Sequence, residues 1–171
     1  MVNRISAKII ADSVNEFGNR ITTYVLVFPR IILAEFNTHR ALSKNSASSR
    51  AIPFKTMLKR VEEEPFIPIG FQKDHKGMQG TEYFDNSDAI PFNGIFSKSG
   101  ALKYREDNWL DARDAAVKVA KTLSELDVTK QLCNRILEPF MYHTVIVTGT
   151  EWENFFALRC PQYHSPVDRH F

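Results

Sequence analysis

The sequence predicts an α+β protein in which an antiparallel sheet packs against a layer of helices, and three observations support that class. Residues 3–11 and 20–28 are rich in Ile, Val, Thr and Tyr, and Glu16-Phe17-Gly18-Asn19 between them has turn chemistry, so the chain opens as two adjacent antiparallel strands. Trp109, Ala112, Ala116, Val119, Leu123 and Leu126 then recur every three or four positions, which predicts a long amphipathic helix over 105–126. A further strand is predicted over 140–147, flanked by two shorter helical patterns. At 171 residues the chain suits one domain with a sizeable core, and a single domain over 1–171 is expected.

Taken in order, Pro29 ends the second strand and fits the first turn of a helix. Ile32, Phe36 and His39/Arg40 follow at helical spacing, so a helix is predicted over 30–43, with Glu35 and His39 four apart on one face. Pro53 opens a short helix through Glu63 on a stripe of Phe54, Met57, Leu58 and Val61, and Pro65 stops it. Prolines, glycines and polar residues predict a long irregular excursion over 65–100, either a lid over a ligand or a surface insertion. Thr129 is placed to cap a helix whose Leu132, Ile136 and Leu137 face the core. Thr150-Glu151-Trp152-Glu153 has the form of a capping box and opens a last helix running to Arg159.

Bulk properties exclude several function classes. With 43% hydrophobic and 25% charged residues, no apolar run long enough to cross a bilayer and no basic-then-apolar leader, the expectation is a cytoplasmic protein with no membrane partner. A net charge of +2 is too small for bulk binding of nucleic acid, and the acidic run Glu62-Glu63-Glu64 follows directly on the basic stretch from Arg30 to Arg60, so no nucleic-acid partner is expected. Cys133 and Cys160 have no metal-ligand spacing and sit in apolar helical patterns, which predicts buried thiols and no metal site. Neither a Gly-x-Gly-x-x-Gly fingerprint nor a P-loop is present.

The segment His39-Arg40-Ala41-Leu42-Ser43-Lys44-Asn45-Ser46-Ala47-Ser48-Ser49-Arg50 concentrates two guanidiniums, an imidazole, an amide and four hydroxyls. Guanidinium forks match phosphate, and hydroxyls and amides can complete the cradle, so a small phosphorylated ligand is expected here. Each residue also has a plainer reading. His39 could offset a helix dipole, Arg135 could pair with Glu138 or Asp127, and Asn154 and Arg159 could be surface residues over Phe155 and Phe156.

The spacing His-Arg-x-x-Ser-x-Asn-x-x-Ser-x-Arg at His39, Arg40, Ser43, Asn45, Ser48 and Arg50 resembles the signature of the flavin-dependent thymidylate synthases, with Thr38 where that family usually carries Arg. The resemblance continues in Arg20-Ile21-Thr22-Thr23, Phe28-Pro29-Arg30 and Ser48-Ser49-Arg50-Ala51-Ile52-Pro53. Lys130-Gln131 with Asn134-Arg135-Ile136-Leu137-Glu138-Pro139, and Thr150-Glu151-Trp152 with Asn154-Phe155-Phe156 and Leu158-Arg159, are similar to the family's second and third ligand-binding blocks. Ser13 and Asn15 stand where shorter members have a flavin-binding His and Thr, so the resemblance is to the long, phage-like branch. After Arg159 the family's turn is altered to His164-Ser165-Pro166-Val167-Asp168 and its last helix is lacking, so a fragment or a protein of reduced flavin affinity is expected.

The resemblance implies the fold of that family and reductive methylation of dUMP to dTMP, with methylenetetrahydrofolate as one-carbon donor, NADPH as reductant and FAD as bound redox cofactor in clefts of a homotetramer. It implies dUMP contacts at Glu35, Ser46, Ser48, Arg50, Arg135 and Arg159, of which Ser48 and Arg159 would serve the chemistry, and FAD contacts at His39, Arg40, Asn45, Asn154 and His164. Three arginines distant in sequence would then converge on one nucleotide, and no side chain need act as a covalent nucleophile. The alternative is a truncated or degenerate relative that binds a pyrimidine nucleotide without methylating it.

Overall fold

The computed structural model describes residues 4–77, 80, 82–88, 90–92, 95–97 and 101–159. Strand β1 (Ser6–Val14) pairs antiparallel with β2 (Arg20–Pro29), as the sequence predicts, with a bulge at Ile10. Their turn is built by Asn15, whose Oδ1 accepts from the backbone N–H of Phe17 at 3.0 Å and of Asn19 at 2.8 Å. Gly18 sits there at φ +83°, a conformation that a Cβ would strain.

Beyond Pro29 the structure departs from the predicted helix over 30–43. A 3-10 turn (Arg30–Ile32) leads into α1, which covers only Leu33–Asn37. Both the backbone N–H and the hydroxyl of Thr38 donate to Glu35 O, at 3.0 and 2.6 Å, and this local bonding closes the helix. His39 therefore lies past the helix end, and Glu35 and His39 share no helical face. The next residues form an edge strand, β3 (Ser43–Ser46). Nothing in Ser-Lys-Asn-Ser advertises a strand, because it has neither β-branched residues nor apolar alternation; the pairing edge of another strand supplies what the local sequence lacks.

Helix α2 (Phe54–Glu63) keeps its predicted bounds. The excursion carries more order than predicted: Gln72 and Tyr83 form a bridge, and β4 (Ile90–Phe92) pairs with β5 (Ile95–Ser97). Its start is anchored, since Phe66 is fully buried and its carbonyl accepts from Trp109 Nε1 at 2.8 Å. Helix α3 (Ala101–Glu125) begins four residues before the apolar spacing suggests. Helix α4 (Lys130–Leu137) has the expected cap, Thr129 Oγ1 accepting from Gln131 N at 3.5 Å. Cys133 is fully buried, its thiol 3.5 Å from Val128 O, and Cys160 lies outside the described residues. A second 3-10 turn (Glu138–Phe140) leads to β6 (Tyr142–Gly149), and α5 (Trp152–Arg159) follows.

The four-stranded sheet has the order β1-β2-β6-β3, antiparallel throughout. One face buries Phe28, Val145 and Val147 against Leu33, Phe36 and Leu42, with Trp152 and Phe155 of α5 packed alongside. Met57, Val61, Val117, Ala120 and Leu137 from α2, α3 and α4 form a second core, which reaches the sheet through Phe140 and Met141. The architecture is thus α+β, with part of the helical layer holding a core of its own. Among the described residues no helix is long and apolar enough to cross a membrane.

His143 lies on the core face of β6 at 4% exposure, and burial, then the charge of Arg30, push its pKa down to about 4. The folded value lies below the ordinary 6.5, so between those two pH values the unfolded chain binds more protons and stability rises with pH. Acidification from pH 7 to pH 5 should therefore destabilise the fold by about 2 kcal/mol, read as a lower thermal midpoint. His143→Gln should flatten that dependence in melts followed by circular dichroism.

Candidate functional site

The motif splits into two neighbourhoods joined by β3. At its first end, Thr38, His39, Arg40, Ala41 and Leu42 form one wall of a cleft of ≈ 270 Å³, and Glu151, Asn154 and Phe155 form the other. The His39 ring stands edge-on to Phe155, with centroids 5.0 Å apart, and 6.3 Å from Phe36. Helix α5 is fixed against the sheet by Trp152, whose Nε1 donates to Gly149 O at 2.9 Å and whose ring meets Tyr24 at 4.8 Å. Gly149 permits close approach, because a Cβ there would come within 2.6 Å of Leu42 Cδ2 and that side chain would have to shift.

Lys44 reaches back from β3: its ammonium donates to His39 O and lies over the Phe36 ring, 5.5 Å from the centroid. Burial lowers the Lys44 pKa. Burial also lowers that of His39, assisted by the positive charges of Arg159 and Lys44. His39 is thereby held as a neutral imidazole near pH 7, with one nitrogen to donate and one to accept. Arg159, at the end of α5, belongs electrostatically to this neighbourhood.

The second neighbourhood begins after Ser46. Ser48 Oγ accepts from Arg50 N at 3.3 Å, and Ser48 O accepts from Ala51 N at 2.9 Å, so Ser48–Ala51 is a closed turn. Arg50 Nε donates to Gln131 Oε1 at 2.9 Å, joining the motif to α4. Below it, the Asn134 amide is fully buried and donates to Ser49 O at 2.7 Å and to Ile52 O at 2.9 Å. Arg135 is exposed on α4 and makes no ion pair among the described residues; Glu138 instead meets Arg30 at 3.5 Å.

Of the residues singled out for a flavin, His39, Arg40 and Asn154 line one cleft. Asn45 lies on β3 opposite Ile146, and His164 lies outside the described residues. Of those singled out for a nucleotide, Arg50 and Arg135 belong to the α4 side, Ser48 precedes Arg50 in the turn, and Ser46 pairs with Val145 at the end of β3. Glu35 is exposed on α1. Arg50 bonds Gln131 on α4, while Arg159 acts electrostatically on His39 on the α5 side. Among the described residues no group of three or more His, Cys, Asp or Glu side chains is placed to hold a metal ion.

Two residues that shape the site were not assigned a role by sequence reasoning. Lys44 is a polar residue in a polar segment, and only folding brings it to His39. Asn134 did carry a signal, because an amide among Leu132, Cys133, Ile136 and Leu137 on a short helix must find buried partners.

No family model and no curated protein matches the sequence. Solved structures do match. The UMP/dUMP methylase PolB from Streptomyces cacaoi, bound with 5-bromo UMP, superposes with a TM-score of 0.64 at 12% identity, over 92% of this chain and 78% of that one. The same methylase bound with 5-bromo dUMP gives 0.52 at 11% identity, over 87% and 74%. The likeness is one of fold.

Replacing Asn134 by Leu leaves one buried and one part-buried carbonyl without their donor, and should cost about 2–4 kcal/mol, read as a lower urea midpoint. Arg50→Ala, which removes only an exposed bond to Gln131, should change the same midpoint by less than about 1 kcal/mol.

Proposed function

We propose that this protein is a cytoplasmic enzyme that binds a pyrimidine nucleoside monophosphate and methylates it reductively, converting dUMP to dTMP with bound FAD, methylenetetrahydrofolate and NADPH. The observation that carries this reading is the meeting of His39 and Arg40 with Asn154 across one cleft, from segments at opposite ends of the sequence. A fold shared with a methylase whose structures hold 5-bromo UMP and 5-bromo dUMP supports it.

The residues fit part of a flavin cofactor. His39 offers a donor and an acceptor, Asn154 an amide and Arg40 a guanidinium, beside the aromatic edge of Phe155. At ≈ 270 Å³ the cleft lies just under the usual range of about 300–1,000 Å³ for small-molecule sites, so it would accept one portion of a dinucleotide. When bound, FAD would supply the redox chemistry of the transfer. A homotetramer would provide the remaining walls. The sheet face opposite the core supports such packing: Ile21 and Ile146 are 47% and 44% exposed there, with Val25 paired to Ile146 and Asn45 beside it, so a second copy on that face would cover a motif residue.

Arg50 and Arg135 present guanidiniums suited to a nucleotide phosphate. Ser48 and Arg159 would serve the pyrimidine, the guanidinium stabilising negative charge that builds on a uracil carbonyl oxygen as the ring is attacked. Ser46 and Glu35 complete the proposed nucleotide contacts. Ser48 needs no role as nucleophile, and the hydrogen bond that its Oγ accepts comes from a backbone N–H, which is no base. The second reading is a nucleotide-binding relative without methylation, and the bond of Arg50 to Gln131 on α4, away from the His39 cleft, favours it.

Incubation with dUMP, methylenetetrahydrofolate, NADPH and FAD should yield dTMP, and Arg50→Ala should lower the rate by about 10–100-fold. His39→Ala should weaken retention of the flavin absorbance by about tenfold. Thermal stabilisation by dUMP with no dTMP formed, whether or not FAD is added, would establish the second reading instead.

A further inference from the structure

A separate cleft of ≈ 280 Å³, which shares no lining residue with the one at His39, lies between the two 3-10 turns. Arg30 N donates to Met141 O at 2.9 Å and ties the turns together. Ile31, Leu33, Ala34 and Pro139 give the cleft apolar walls, and Arg30 and Glu138 are its charged groups.

Their pairing is loose. Arg30 Nη2 is 3.5 Å from Glu138 Oε2, at the outer limit of a hydrogen bond, where a well-made pair would be bidentate at about 2.7–2.9 Å. Arg30 Nε is buried without a hydrogen-bond partner. His143, 4% exposed on the core face of β6, does not line the cleft, though both charged groups act on it electrostatically. The guanidinium and the carboxylate thus stand side by side, joined by a single long hydrogen bond, against an apolar surface.

We propose that this cleft binds the lactam edge of a planar heterocycle, a C=O beside an N–H, as in a uracil or a pterin. The guanidinium donates to the carbonyl oxygen, the carboxylate accepts from the N–H, and the ring covers the apolar walls. A bare phosphate would face the Glu138 carboxylate and a bare cation the Arg30 guanidinium, so the recognised edge is neutral. A polar amino acid such as glutamate could pair with both charges, but it would leave the apolar walls uncovered.

The inference stands apart from the reading of the His39 cleft, and its test uses the full chain with uridine and 5-formyltetrahydrofolate as probes. The two arms distinguish uracil from pterin. Calorimetry should show one of them binding, at least tenfold more weakly to Glu138→Gln and to Arg30→Met, and unchanged in Arg50→Ala and His39→Ala. Addition of that probe to the wild type should also move the Arg30 Nε–H resonance in ¹H–¹⁵N spectra, a readout that needs no variant to fold. Binding of neither probe, equal binding to wild type and Glu138→Gln, or displacement by glutamate or inorganic phosphate would overturn the proposal. Failure of dTMP formation while Glu138-dependent binding persists would refute the methylation reading alone.

Discussion

Buried backbone must find partners, and β6 meets that demand on both edges, with β2 along one side and β3 along the other. The same strand buries Val145 and Val147 under α1 and α5, so its register and its burial are set together. That register fixes β3: Ser43 stands opposite Thr148 and Ser46 opposite Val145. A polar segment with little strand tendency of its own is thereby held straight, and its two ends are delivered to different helices. The first end meets α5 and the second meets α4.

Each end is then locked by a polar side chain that reaches a backbone carbonyl. Lys44 holds His39 O, and Asn134 holds Ser49 O and Ile52 O. The two devices differ in cost. The Asn134 amide is neutral, and its carbonyl partners would otherwise lack this donor. Lys44 is a partly buried cation; burial lowers the pKa of the neighbouring imidazole, and the charges of Arg159 and Lys44 add to that effect. The result is a cleft that offers hydrogen-bonding groups of both kinds near neutral pH, set against the packed aromatic edges of Phe36 and Phe155.

The fold shared with a UMP/dUMP methylase at 12% identity shows how little of the sequence the architecture constrains. What the backbone demands is a hairpin, a central strand with two neighbours, and helices entering at the strand ends. Function must be argued from the side chains grafted at those ends. Here these are His39, Arg40 and Asn154 in one cleft and Arg50 with Gln131 at the other end of β3.

The sequence by itself determined the elements whose signals are local. The first hairpin, α2, the capped start of α4 and the long α3 follow from turn residues, prolines, a threonine cap and apolar spacing, all read within a dozen residues. Composition of the motif also marked His39 and Arg40, and the family resemblance marked Asn154, before any fold was known. Tertiary structure decided the rest. Helical spacing around Ile32, Phe36 and His39 overstated α1, because Thr38 turns its bonds back on Glu35 while the pairing edge of β6 claims Ser43–Ser46 as a strand. Neither the partner of Lys44 nor the loose meeting of Arg30 with Glu138 across 108 positions could be read locally, since long-range pairing depends on where the sheet carries each end of the chain.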